Sequence, residues 1–312
     1  MRLPEDVLLE LLQYMCLPTL LAFGSAHRRC NEWVVKHLDK TLDSRLTRYV
    51  EDPTAFRAAL RMLGGVLSGS FVLSFLMMND LRDFTPNDLD VYLPNSVAAR
   101  FARYLMDVEG YILRRTARVP YGTNDAHRMV VVLQKHGMQI DVIPSNNDSA
   151  LLPIAHFWGS HLMNFITADT FCVAYPQLTF QSRCLLSPFQ LLHSRYPGDV
   201  VLGMMRKYAL RGIDFRVRPY AWDVSHPRGF CKHGSGCPRL RRFFGDRFCL
   251  TGRLSADFKD CGYLRRLPSE ETVAWWRGGD PCDDDCDMAE LLPERTVPAA
   301  MMLVVSSLPD TL

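Results

Sequence analysis

No apolar run in this 312-residue chain approaches the ~20 residues that a membrane span requires, so no membrane-crossing helix is expected. The opening stretch, Met1-Arg2-Leu3-Pro4-Glu5-Asp6, lacks the basic and then apolar pattern of a secretory leader. Charge of one sign is also missing. The 36 basic and 34 acidic side chains leave a net +2, too little to indicate nucleic acid or an anionic membrane as partner. A Cys-x-x-Cys knuckle is absent despite 10 cysteines, which read as reduced thiols of an intracellular protein, cytoplasmic and/or nuclear. What is present is ordinary for a folded chain, 48% hydrophobic and 22% charged, with length for two domains or one large domain with appendages.

The stretch from Gly64 to Leu93 carries the densest chemistry. A short apolar run ends in Gly69-Ser70, an apolar segment follows from Phe71 to Met78, and Asp88-Leu89-Asp90 opens a second run, Val91-Tyr92-Leu93. Strand periodicity places Asp88 and Asp90 on one face and Leu89 and Val91 on the other. Two like charges facing the same way call for a cation between them, and paired carboxylates are hard-metal ligands. The Gly69-Ser70 turn beside a helix start offers backbone N–H groups and a hydroxyl to an anion. Further on, Arg128 to Gln134, the turn Lys135-His136-Gly137, and Met138 to Pro144 read as two strands joined tightly. Asp141 lies in the second strand among Ile140, Val142 and Ile143, where a carboxylate without a partner is costly to desolvate. A metal shared with Asp88 and Asp90 would supply that partner.

Gly-Ser, then Asp-x-Asp on a strand, then a third Asp on a later strand, resembles the nucleotidyltransferase superfamily of the polymerase-β type over roughly residues 60 to 215. The resemblance implies a small mixed sheet backed by helices, two Mg²⁺ ions and an NTP as substrate. It gives Asp88, Asp90 and Asp141 the catalytic and metal-binding roles, and Gly69 and Ser70 the nucleotide phosphates. The connection from Ser70 to Asp88 is longer than in compact members and closer to the branch that includes AbiE-type toxins. A basic residue on a late helix often meets the triphosphate in that family. Lys207, in the strip Arg206-Lys207-Tyr208 with Arg211, is the corresponding nucleotide contact, or else part of a solvated helix face.

Residues 1–48 read as a separate helical unit. Leu3-Pro4-Glu5-Asp6 is a helix start, and Val7, Leu8, Leu11, Leu12 and Met15 recur at helical spacing. Leu17-Pro18 breaks that helix, Leu20, Leu21 and Phe23 begin another, and Arg28, Cys30, Trp33 and Val34 mark a third. This pattern resembles the F-box, which implies docking onto a Skp-type adaptor of a cullin ubiquitin ligase. The alternative is a helical cap whose leucines fill its own core.

A linker helix is expected over 49–63, within a helical stretch from Thr41 to Leu63, and a nucleotidyltransferase-like domain over 64–215. In that domain helices are expected from Val97 to Glu109, His156 to Phe165, Phe189 to Tyr196 and Asp199 to Arg211, and strands from Tyr111 to Val119 and Phe171 to Tyr175. His161 and His193, each among apolar residues, read as packed or surface histidines rather than ligands. Residues 216–312 form a Cys- and Arg-rich extension in which periodicity fades. Cys231, His233 (or His226), Cys237 and Cys249 would supply four ligands for Zn²⁺, although their gaps match no standard finger and free buried cysteines are the alternative. Cys282-Asp-Asp-Asp-Cys286-Asp reads as a solvated acidic loop.

The expected fold class is thus α+β: a small mixed β-sheet core of nucleotidyltransferase type with helices, after an all-α F-box-like unit and before an irregular Cys-rich extension. Two functions are compatible with it. One is metal-dependent transfer of NMP from an NTP to a hydroxyl acceptor, with release of pyrophosphate. The other is an F-box-type adaptor in which the nucleotidyltransferase-like domain recognises a client without catalysis.

Overall fold

The computed structural model describes residues 4–79, 84–117, 129–191, 197–222, 235–237, 240–255, 272–278 and 304–305. Three helices lead: α1 (Glu5–Leu12), α2 (Leu17–Ala26) with Pro18 in its first turn, and α3 (Arg28–Leu46), capped by the His27 side chain, which accepts from the Arg29 N–H. Helix α4 (Pro53–Leu63) starts where Asp52 accepts from Thr54 N–H and Ala55 N–H. That cap divides the expected Thr41–Leu63 helix into two, because α3 stops at Leu46 and the chain turns through Tyr49. Next come β1 (Val66–Ser68), α5 (Gly69–Leu76), β2 (Asp88–Leu93), α6 (Asn95–Asp107), β3 (Ile112–Ala117), β4 (Val130–Lys135) and β5 (Met138–Pro144). The short helix α7 (Leu152–Ala155) precedes β6 (Asn164–Ile166), β7 (Thr170–Val173), α8 (Pro176–Phe180), β8 (Arg183–Leu185), α9 (Asp199–Ala209) and β9 (Asp214–Arg216). Four late strands follow among the described residues: β10 (Arg242–Phe243), β11 (Leu250–Arg253), β12 (Thr272–Trp275) and β13 (Val304–Val305).

The main sheet has eight strands in the order β11-β7-β6-β1-β2-β5-β4-β3, larger than the small sheet expected. Only β2 and β5 run parallel within it; α6, β3 and β4 form the crossover between them. Its outer strand on one side is β11, from the extension expected to be irregular. Leu-Thr-Gly-Arg carries no alternation to betray a strand. Gly252 is present because a Cβ there would overlap the Phe171 ring of the neighbouring strand. A second correction concerns His156 to Phe165, which is not helical. A single 3-10 turn (Ser160–Leu162) is followed by β6, whose Phe165 pairs with Cys172. Short apolar runs buried on both sides do not distinguish helix from strand by periodicity. Of the expected Phe189–Tyr196 helix, the described part is a 3-10 turn, Pro188–Leu191; His193 lies outside the described residues.

One sheet face, through Leu67, Leu89, Val91, Ile140, Val142 and Ile166, shares a single apolar cluster with Phe56 and Leu60 of α4, Phe101 and Leu105 of α6, and Leu12, Leu20, Leu38 and Leu42 of the leading helices. The other face, through Val66, Tyr92, Ile143, Phe165 and Cys172, packs on Leu151, Ile154, Tyr175 and Trp275. Arg57 ties the parts together: its buried guanidinium reaches Asp39 and Asp43 of α3, both at 2.7 Å, and the carbonyls of Ala168 and Leu254. Among the described residues no helix is long and apolar enough to cross a membrane.

Candidate functional site

β1 ends at Ser68, and Gly69 turns the chain into α5 with a left-handed φ of +67°. A Cβ on Gly69 would overlap the Asp90 carboxylate, so glycine is what allows the carboxylate to lie against the turn. The next residue, Ser70, is buried and donates its hydroxyl to Asp88 Oδ1 at 3.2 Å. In the parallel ladder Asp90 is paired with Asp141, and Asp88 with Gln139. Residues paired across a ladder point to the same side of the sheet, so Asp88, Asp90 and Asp141 rise from one face beside the Gly69-Ser70 turn. The same row continues in both directions, as Ser68, Asp90, Asp141, Val132 and Arg115 on five adjacent strands.

The charges interact. Asp90 is held well above the ordinary carboxylate range by loss of hydration, then by the Asp88 and Asp141 charges, with Lys207 acting in the opposite direction. Asp141 is pushed up to about 6, chiefly by burial; Asp88 adds to the rise, while a hydrogen bond from Gln139 Nε2 (2.9 Å) and the charge of Arg115 oppose it. Among the described residues no three His, Cys, Asp or Glu side chains stand in a ready-made ligand shell. Asp88 is turned toward Ser70 and Asp141 toward Gln139 instead. The donor set is nevertheless one that a hard divalent cation fits: carboxylate oxygens on one face whose like charges raise one another's proton affinity, offset only in part by Lys207 and Arg115. No protein-family model, no curated protein and no solved structure matches this chain. The chemistry of the site therefore rests on its own geometry.

Around the carboxylates lie Lys207 and Arg211 of the basic strip, and Tyr49, which periodicity did not single out. Tyr49, just after α3, donates its hydroxyl to the Pro86 carbonyl at 2.8 Å and meets the Phe71 ring of α5 edge-on. Burial pushes its phenol up to about 12, and the Asp88 and Asp90 charges add to that rise. Lys207 projects from α9 as an exposed side chain whose charge reaches Asp90. Arg211, just past α9, lies 3.8 Å from the centre of the Phe84 ring, its charge reaching Asp88, and its Nη1 is buried without a hydrogen-bond partner. Helical spacing from Lys207 is the one sequence signal that pointed to Arg211; nothing local marked Tyr49.

The Zn²⁺ expectation is divided by the limits of the described chain. Cys231, His233 and His226 lie outside the described residues; Cys237 is buried and Cys249 half-buried. Cys249 contacts Arg242 Nη2 and the Phe243 carbonyl, both at 3.6 Å, and exchanges a hydrogen bond with Cys172. His161 is fully buried, as a packed histidine should be. Its Nδ1 lies 3.0 Å from Cys184 Sγ, and desolvation pulls it down to about 3, which keeps the ring neutral.

Proposed function

We propose that this chain transfers a nucleotidyl group from an NTP to a hydroxyl acceptor. The observation that carries the reading is the three-carboxylate face, Asp88, Asp90 and Asp141, beside the Gly69-Ser70 turn at the start of an eight-residue helix. In the reaction the acceptor oxygen attacks the α-phosphorus, the bond to the β-phosphate oxygen breaks, and pyrophosphate leaves. The Ser70 hydroxyl and the N–H groups of the first turn of α5 would hold the terminal phosphates, aided by the positive end of the helix. Lys207 and Arg211 would add charge on the side of the α9 helix, and the unpartnered Nη1 of Arg211 is a donor available to an anion. Asp141 would be the ligand on the side of the cation that faces the acceptor hydroxyl. Two Mg²⁺ ions held by the three aspartates would neutralise phosphate charge and acidify the attacking hydroxyl. The test is pyrophosphate release on incubation with Mg²⁺, each NTP and a cell extract as acceptor source. Turnover abolished by Asp88→Ala and by Asp141→Ala supports the reading, and equal turnover in these variants refutes it.

A second reading has its own observation. On α1 and the turn after it, Val7, Leu11 and Tyr14 recur at helical spacing yet stay 41%, 43% and 73% exposed. Such a stripe suits a partner helix, and the F-box resemblance makes that partner a Skp-type adaptor. Capture of a purified Skp-type adaptor by the chain, lost in Leu11→Asp, supports it; no capture by the folded chain removes it. The two readings are compatible, because the α1 stripe and the carboxylate face use different residues.

A further inference from the structure

The carboxylate face does not end at Asp141. Toward the edge of the sheet it continues over β4 and β3, where Ile112 through Thr116 are all exposed. The register of β3 on β4 slips by one between Leu113 and Arg115, so that Ile112 is paired with Gln134 and Arg115 with Val132. The slip is a β-bulge, in which two residues of one strand oppose one of the other. Without it, Arg115 would face the side of the sheet opposite to Ile112. With it, Arg114 and Arg115 both stand across from Val132, whose other neighbour is Asp141. Neither arginine has an ion-pair partner among the described residues. Lys135, by contrast, is already engaged by Glu51 and by the Glu109 carbonyl. Beside the bulge lies a half-open hollow of about 360 Å³ lined by Ile112, Arg114, Gln134, Lys135 and His136, with Arg115 outside its lining. Between the hollow and the aspartates runs a polar lane: Gln134 is paired with Gln139, which is paired with Asp88 and donates to Asp141.

We propose that this hollow binds the phosphate of the acceptor, and that the acceptor is a phosphorylated sugar whose free hydroxyl lies at Asp141. The proposal rests on the nucleotidyl-transfer reading and names its substrate class. Ile112 of the hollow is two strands across (~4.8 Å each) and, through Gln134 and Gln139, two residues (~3.3 Å each) along from Asp141, a span of about 12 Å that the Arg114 side chain shortens to the length of a pentose phosphate. Arg114, which lines the hollow, matches a phosphate through charge-assisted, forked hydrogen bonds, with Arg115 the next residue on the bulge, and Gln134 and Gln139 match sugar hydroxyls between the two ends. The NTP phosphates would occupy the opposite side of the aspartates, at Ser70, Lys207 and Arg211.

The experiment is calorimetric titration of the full chain, with Mg²⁺ and a saturating non-hydrolysable NTP analogue present to fill the donor side. The probes are ribose 5-phosphate, ribose, and a short single-stranded oligoribonucleotide. Ribose 5-phosphate should bind about tenfold or more tightly than ribose, and the Arg114→Gln, Arg115→Gln double variant should lose that preference while binding the analogue normally. Equal binding of the two sugars, or a preference that survives in the double variant, overturns the proposal even where the analogue binds. Failure of the analogue to bind, with the phosphate preference intact in wild type and lost in the double variant, would sink the transfer reading while leaving a phosphate-binding hollow. Competition by the oligonucleotide identifies the sugar phosphate as a nucleic-acid end; no competition identifies a small molecule, and either result sustains the phosphate site. Unchanged urea unfolding of the double variant excludes misfolding as the cause of a loss.

Discussion

At Asp141 two effects favour the proton and two oppose it, and burial decides the balance. An aspartate ionises near 3.9 in an unfolded chain, whereas this one titrates at about 6 when folded. The folded state therefore binds more protons between those values, and stability falls as pH rises from about 4 through about 6, remaining lower above it. Asp141→Asn keeps the acceptor oxygen for Gln139 and removes the charge. Without Mg²⁺ it should stabilise the chain at pH 8 by on the order of 1 kcal/mol, after allowance for solvent screening, and make no difference at pH 3.5. Urea unfolding at the two pH values checks this, and the same variant should be inactive. His161 works with the opposite sign: its folded value of about 3 lies below the ordinary value of 6.5, so stability is lost as pH falls from about 6.5 toward 3. His161→Phe, in a ring cage of Trp158, Tyr208 and Phe215, should flatten the acid limb of a thermal-unfolding series. The three aspartates were legible from the sequence because a period of 2 and a β-branched setting mark a strand carboxylate. Arg115 was not, since its side of the sheet depends on a bulge that no local pattern signals.

Among the elements, the β1–α5 turn and the α3–α4 clamp decide most. At Gly69 the conformation is left-handed and the space above it is filled by Asp90, so Gly69→Ala meets strain and overlap together. It should cost about 2 kcal/mol of stability and also abolish the response to Mg²⁺ and NTP, measured as a thermal shift. Arg57 bridges α3, α4, the β6–β7 turn and the residue after β11 through two carboxylates and two carbonyls. Arg57→Leu leaves Asp39 and Asp43 facing an apolar side chain, with an expected loss on the order of 3 kcal/mol in denaturant unfolding. Asp52 followed by Pro53 is the pattern of a helix start, and it opens α4 within a stretch expected to be helical from Thr41 to Leu63. Strands β6 and β11 were not announced. The first is an apolar run buried on both faces, and the second is held by pairing with β7 rather than by any preference of Leu-Thr-Gly-Arg.

On the scale of the whole molecule, the chain builds one large sheet with two unlike faces. One is sealed by helices, including the leading three; the other is apolar at Val66, Tyr92 and Phe165 and acidic at Asp88, Asp90 and Asp141. The size of the sheet was not legible, because its outer strand β11 belongs to a region whose composition reads as irregular and β6 lies in a run read as a helix. The most direct measurement on the acidic face is calorimetric titration of the full chain with NTP, in Mg²⁺ and in EDTA, for the native protein and for Asp90→Asn. Binding that requires Mg²⁺ and is lost in a folded Asp90→Asn variant is the expected result. Binding that is indifferent to Mg²⁺, or unchanged when Asp90 loses its charge, contradicts a carboxylate-held cation at this face.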